Sequence, residues 1–265
     1  MQDGIRPYVA KPGWQLAPAW FIVYVMNPFR SPDNDHPLSH ALILKAALLT
    51  IGYIEKHGPI GLTPSKALKR YFVAWAAEAF DWPGYTVEDL YAVNKVLNEH
   101  DFPPLVILHE VLLSAKLARH FKGTLRLTDL ARKLRSEPAR LWMLLTTHLL
   151  FVIDHSPYTR SDEPLFGNWD IFLNVINIEA QVAVTEERLC SVLYGGEEED
   201  IRRRDFKLTA SLYVHVLRPL CWAGLLNEHR TGTGFSRRDF YTKTPLWPAA
   251  LSLETDRHLH PATRH

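Results

Sequence analysis

Cysteine is nearly absent from the chain: Cys190 and Cys221 are the two residues of this type, and no C-x-x-C spacing surrounds either. That rules out a disulfide framework or a zinc knuckle, and buried reduced thiols are expected. Long apolar runs are missing as well. The two longest, Trp20 to Met26 and Leu141 to Ile153, fall well short of the roughly 20 residues that cross a bilayer, and the second is interrupted by Thr146, Thr147 and His148. No membrane span is expected. The opening MQDGIRPYVAKPGW lacks the basic start, apolar centre and small-residue cleavage site of a secretory signal, so the expected location is the cytoplasm. What is present is a chain of 265 residues, 47% hydrophobic, which can build a substantial core in one large or two ordinary domains.

Catalytic signatures are also missing. There is no P-loop, no Gly-x-Ser-x-Gly elbow and no His-Glu-x-x-His. GTGFSR from Gly232 has glycines spaced as in a dinucleotide loop, but Arg237 takes the sixth position and no strand-to-helix context surrounds it. A turn is the better reading. His36 and His40 are separated by Pro37, and His148 is divided from Asp154 and His155 by Leu149 to Ile153, so structural histidines rather than a metal are expected at both places. His258, His260 and His265 fall in a tail, residues 251–265, expected to fray. No catalytic residue and no cofactor is expected. The tryptophans, among them Trp75, Trp82, Trp142 and Trp222, sit at helical positions or element ends and read as core.

Charge is distributed unevenly behind a formal net of +1. Between Ile201 and Lys243 the cations Arg202, Arg203, Arg204, Lys207, Arg218, Arg230, Arg237, Arg238 and Lys243 face Asp205, Glu228 and Asp239, a local excess of six. Between Phe102 and Arg140 the cations Lys116, Arg119, Lys122, Arg126, Arg132, Lys133, Arg135 and Arg140 face Glu110, Asp129 and Glu137, an excess of five. The rest of the chain is therefore acidic.

Read for periodicity, the chain is mainly α-helical. Residues 1–37 form a Pro-rich arm expected to pack through Trp14, Trp20, Phe21 and Tyr24. Helices are expected from Leu38 to Gly58, from a Thr63 cap to about Phe80, over Thr86 to Asn98, through LVILHEVLLSAKL, at Asp129 and after Pro138. ARHFKGTLRLT is a hairpin signal around Lys122 and Gly123. The segment from His155 to Trp169 is the expected linker, dividing a domain over 38–157 from a second over 158–250. There the grammar repeats: a helix from Trp169, a short strand over Gln181 to Val184, a helix capped by Thr185, an acidic loop, and a long helix from Arg202 to Gly224. Both halves then show Ala-x-Leu (Ala115 to Leu117, Ala223 to Leu225), a hairpin with a basic glycine turn, and a bulky residue before Thr (Leu127-Thr128, Tyr241-Thr242), which makes the second hairpin six residues longer.

A bundle of about three helices whose last helix runs into a two-stranded hairpin is the winged-helix variant of helix-turn-helix, so the expected architecture is tandem winged-helix units with short β-hairpin wings. The middle region, GLTPSKALKRYFV followed by VNKVLNEHDFPPLVILHEVLLSAKLARHFKGTLRLT, resembles passenger proteins carried by bacterial plasmids and insertion elements, over roughly residues 60–150. The resemblance implies a winged-helix region and a bacterial origin. It implies no catalytic residue.

On the expected long helix, Arg204, Lys207, Ser211, His215 and Arg218 are three or four apart and share one face, beside an apolar stripe of Leu208, Leu212, Val216 and Leu220. With Arg230, Arg237, Arg238 and Lys243 on the wing, this is the pattern of a double-stranded DNA contact. The first unit's Arg119, Lys122 and Arg126, with His120, would add backbone contacts that position without specifying. The expected function is a DNA-binding regulator or accessory factor of a mobile element. The alternatives are a solvated basic surface and a non-catalytic scaffold whose arm clasps a second subunit as a homodimer.

Overall fold

The computed structural model describes residue 29 and residues 36–159, 165–232 and 238–259. The chain is mainly helical, with two three-stranded antiparallel sheets. Among the described residues, no helix is long and apolar enough to cross a membrane. The arm residues Trp14, Trp20, Phe21 and Tyr24 lie outside the described residues. Phe29 is buried, bridges to Leu251, and meets Trp142 edge-on with ring centroids 5.7 Å apart.

In the first half, α1 (Leu42–His57) buries Ile43, Leu44, Ala47, Ile51 and Ile54, an apolar stripe at helical spacing, and ends at Gly58 with φ +85. After β1 (Ile60–Gly61) comes α2 (Arg70–Phe80). Its start differs from the expected Thr63. Lys66 adopts φ +66, the Leu68 N–H is taken by the Glu99 carboxylate at 2.6 Å, and the Lys69 N–H bonds the Gly61 carbonyl, so residues 63–69 are held as a loop. Next, α3 (Val87–Val93) is closed at its front by a reciprocal Thr86–Asp89 capping box and stops before Asn98. Val93, at the end of this helix, is 81% exposed. α4 (Pro103–Ser114) then leads into the hairpin β2 (Ala118–Phe121) and β3 (Thr124–Leu127), whose turn residues Lys122 and Gly123 both take positive φ. α5 (Asp129–Leu134) and α6 (Pro138–Phe151) complete this half.

The second half runs α7 (Trp169–Glu179), β4 (Val184–Thr185), α8 (Glu186–Tyr194), α9 (Glu198–Arg204), α10 (Phe206–Leu212), a π-helical turn (Tyr213–Leu217), α11 (Arg218–Trp222), β5 (Leu226–Thr231), β6 (Arg238–Lys243) and α12 (Leu246–Ala250). The single helix expected over Arg202 to Gly224 is therefore three helices joined by a break at Asp205 and a π turn. Pro219 explains the turn. It has no N–H to give to the preceding turn and its ring would crowd that turn's carbonyls, and the backbone widens so that the Arg218 N–H reaches Tyr213 O. The tail also departs from expectation, because residues 251–259 are docked. Asn177, fully buried on α7, donates to Thr255 Oγ1 and Asp256 Oδ1, each at 2.9 Å, and accepts from Trp247 Nε1.

The two halves repeat at the level of hydrogen bonds. The sheets have the orders β1-β3-β2 and β4-β6-β5. The last helix turns into the hairpin through Leu117 N–H to Leu112 O in one half and Leu225 N–H to Leu220 O in the other, both 2.9 Å. Each hairpin is closed at its base by a threonine hydroxyl: Thr128 donates to Lys116 O at 2.8 Å, across 12 residues, and Thr244 to Gly224 O at 2.6 Å, across 20. Thr244, rather than Thr242, is thus the counterpart of Thr128, and the second hairpin is longer by eight residues rather than six.

The halves share one core, and they meet at this second turn. Trp222 stacks edge-on against Trp82 at 5.3 Å, the Ala223 carbonyl accepts Trp142 Nε1–H at 2.8 Å, and a Cβ on Gly224 (φ +81) would lie 2.6 Å from the Ala41 nitrogen. Gly224→Ala should therefore cost about 3 kcal/mol of stability, measured by urea unfolding, because left-handed strain and a backbone clash coincide. A second prediction concerns pH. Buried His155 donates Nε2–H to Leu149 O, and burial lowers its pKa to about 4. It binds its proton more readily unfolded, so its contribution is present above the unfolded pKa near 6.5 and falls by about 3 kcal/mol as pH drops to 4. Glu186 accepts Tyr241 Oη–H at 2.6 Å, and burial raises its pKa to about 7, so its contribution instead declines as pH rises from the ordinary carboxylate range through 7. Thermal unfolding across pH 4–7.5 should show a shallower acid loss in His155→Gln and a steeper one in Glu186→Gln, each relative to wild type.

Candidate nucleic-acid interface

The cations of the second half are distributed quite differently from a single groove-facing helix. The supposed acidic loop is the first turn of α9, where Glu199 pairs with Arg202 and with Arg203 (2.8 Å), and Asp200 approaches Arg204 at 3.7 Å. These acids lie just outside a charge window that begins at residue 201. Arg204 and Lys207 are exposed, whereas Ser211 is buried and His215 half-buried. Burial lowers the His215 pKa, with Asp154 opposing and Arg218 reinforcing that shift.

Arg218 is 6% exposed. Its guanidinium carbon lies 5.0 Å from the Trp222 ring and 5.8 Å from that of Tyr158, while Nε and Nη2 have no hydrogen-bond partner among the described residues. Burial depresses its pKa. The cause is the linker: Ser156–Tyr158 forms a 3-10 turn against the π turn, and Tyr158 donates its hydroxyl to Glu110 Oε1 of α4 at 3.0 Å. The one-faced set Arg204, Lys207, Ser211, His215 and Arg218 is thereby corrected. The π turn rotates α11 out of register with α10, and the linker covers Arg218.

On the second hairpin, Arg230 is bonded to Glu228 at 2.9 Å, faces Asp239 across the strands, and leans on the turn at Gly84. Lys243 is half-buried, its Nζ donating to Asn177 O at 2.8 Å, and burial lowers its pKa. That side chain holds α7 to β6 and is not free for a ligand. Arg238 is exposed with no ion pair among the described residues. Arg237 lies outside the described residues.

Among the described residues, the first hairpin gathers three cations on one ring. Arg119 and Phe121 share the outer face of β2, and Arg126 stands directly opposite Arg119 on β3. Phe121, 40% exposed, has Arg126 Cζ at 4.9 Å, Lys122 Nζ at 5.4 Å and Arg119 Cζ at 5.6 Å from its ring centroid. None of the three cations has an acidic partner among the described residues, and a shared aromatic face holds them together in place of counter-ions.

Beneath this wing, sequence reasoning missed a buried relay. Glu99 Oε1 accepts His109 Nδ1–H at 2.6 Å, and His109 Nε2 meets His120 Nε2 at 2.9 Å. The chain joins the 3-10 turn Glu99–Asp101, α4 and β2, so it anchors the wing to the core. With His109 Nδ1–H given to Glu99, His109 Nε2 accepts from His120 Nε2–H. Burial, then His109 and Lys66, lower the His120 pKa. No local spacing signals the relay, because its members lie ten and eleven residues apart on three elements. Among the described residues, no group of three or more His, Cys, Asp or Glu could hold a metal ion.

Similarity to known proteins divides along the two halves. Residues 39–140 match the model of the Y4jL N-terminal domain, and residues 159–245 match that of the Y4jL C-terminal domain. The chain belongs to the Y4jL family. A curated relative, the uncharacterized protein y4jL of the bacterium Sinorhizobium fredii (strain NBRC 101917 / NGR234), is 38% identical over 156 residues, covering 58% of this chain and 71% of the relative. No solved structure matches. The Y4jL-domain matches leave residues 141–158 between them. These contain most of α6 and the linker turn that covers Arg218.

A buried, unpaired guanidinium destabilises more than its ring contacts return. Arg218→Met should raise stability by about 1 kcal/mol in chemical denaturation and leave duplex affinity unchanged, whereas a groove-facing arginine would show the reverse on both measurements.

Proposed function

We propose that each half is a winged-helix unit and that the protein binds double-stranded DNA mainly through its first wing. The unit reading is supported by the order helix, short strand, helices, hairpin in both halves and by the shared sheet order with the hairpin's second strand in the centre. The observation that carries the binding reading is the Phe121 cluster, with three cations free of acidic partners at the tip and outer face of a rigid hairpin. Such a face suits the phosphate backbone, and an exposed aromatic ring adds a surface for sugar or base. Lys207 and Arg238 supply further exposed charge, Arg204 is exposed but shared with Asp200, and Arg218 and Lys243 contribute to folding. A role as regulator or accessory factor of a mobile element is part of the same proposal, prompted by the resemblance of residues 60–150 to passenger proteins of plasmids and insertion elements.

A scaffold role is the second reading, favoured by the exposed apolar residues Ile171, Ile178 and Val182 on and just after α7. The test is fluorescence anisotropy of a labelled duplex with 5′-hydroxyl ends at two salt concentrations. The Arg119→Ala/Lys122→Ala/Arg126→Ala variant is expected to lose at least tenfold in affinity and about three from the slope of log affinity against log salt. Absence of salt-dependent binding by wild type, or a variant that binds like wild type, overturns the first-wing reading and gives the scaffold the lead.

A further inference from the structure

A pocket of about 400 Å³ opens between the first wing, the C-terminal end of α1 and α5. Three arginines line it: Arg119 and Arg126 from the hairpin and Arg132 from α5. Ile54, Pro59 and Leu127 provide an apolar lining. Arg132 is bonded to Asp129 at 2.8 Å, so one acid offsets one cation and the pocket keeps an excess of about two positive charges. Glu55, next to Ile54, is bonded to Arg135 and does not offset the pocket further. Thr128 is committed to the hairpin base, its hydroxyl donating to Lys116 O and accepting from the Ala131 N–H, so recognition here rests on guanidinium groups.

Arg119 and Arg126 stand directly opposite each other on antiparallel strands, and a bound anion would relieve the like-charge repulsion that the Phe121 ring offsets only in part. A phosphomonoester carries about −1.5 to −2 at neutral pH and offers three acceptor oxygens to such forks. The volume falls in the range of small-molecule sites, roughly 300–1,000 Å³, so there is room for an apolar or planar body beside the phosphate. The geometry points to a phosphomonoester site of about mononucleotide size, with the phosphate on the three arginines and the body against Ile54, Pro59 and Leu127. The same terminal phosphate occurs on a free nucleotide and on the 5′ end of a DNA strand. This inference shares Arg119 and Arg126 with the proposed backbone contact and differs from it in requiring Arg132 and the apolar lining.

The test uses the full chain, with adenosine 5′-monophosphate and adenosine as probes in isothermal titration calorimetry. Duplexes bearing 5′-phosphate or 5′-hydroxyl ends are compared by anisotropy. Wild type is expected to bind the monophosphate at least tenfold more tightly than adenosine if the source is a free nucleotide, or to prefer the 5′-phosphorylated duplex at least tenfold if it is a strand end. Arg132→Ala, at an exposed residue outside the Phe121 cluster, should remove that preference while leaving the 5′-hydroxyl duplex affinity within twofold. Lys122→Ala should do the opposite, so that failure of the wing reading is seen separately. Neither phosphate preference in wild type, or an Arg132→Ala variant that retains it with an unchanged melting temperature, overturns the inference.

Discussion

The fold depends on the turn Trp222–Ala223–Gly224, where three consecutive residues each make a different kind of contact with the first half. An indole stacks on Trp82, a carbonyl takes the Trp142 N–H, and a missing side chain lets the backbone reach His40 and Ala41. Packing, hydrogen bonding and close approach are satisfied together only in one relative placement of the halves. The corresponding residue of the first half, Lys116, also takes positive φ but carries a side chain and lies exposed. Repetition therefore explains the shape of the turn, and the docking of the halves explains the glycine.

Much of the architecture was legible because it rests on short-range signals. Thr86, Thr128 and Thr185 cap the helices they precede, Lys122-Gly123 makes the tight hairpin, and the apolar stripe of α1 faces the core. The departures have specific causes, one long-range and one local. The helix expected from Thr63 is displaced because Glu99, 31 residues beyond Leu68, takes the Leu68 N–H. The long helix expected near the C-terminus is interrupted at Asp205 and ahead of Pro219, both of which are visible in the sequence.

The site was half legible for a related reason. Basic residues can be counted along a chain, but their freedom depends on partners that the count does not see. Glu199 and Asp200 discharge the arginines one turn later, Glu228 takes Arg230, and Asn177 holds Lys243 from 66 residues away. In the first half the helix before the hairpin, Pro103–Ser114, is mostly apolar and signals no basic face. The hairpin nonetheless carries cations opposite one another on alternating positions, which a strand reading of ARHFKGTLRL places on a common face. The Glu99–His109–His120 relay gives that face a rigid support from within.

The threonine that closes each hairpin separates what lies beyond it from what lies beneath. Thr128 and Thr244 make the same bond at the same place, although one loop is much longer than the other. Lengthening a loop whose base is already fixed costs only about 0.6 kcal/mol per doubling of its length. The tip of either hairpin can therefore gain or lose residues, and change the chemistry it presents, with almost no effect on the packed body. Two copies of one unit can in this way diverge in what they contact while remaining alike in how they fold.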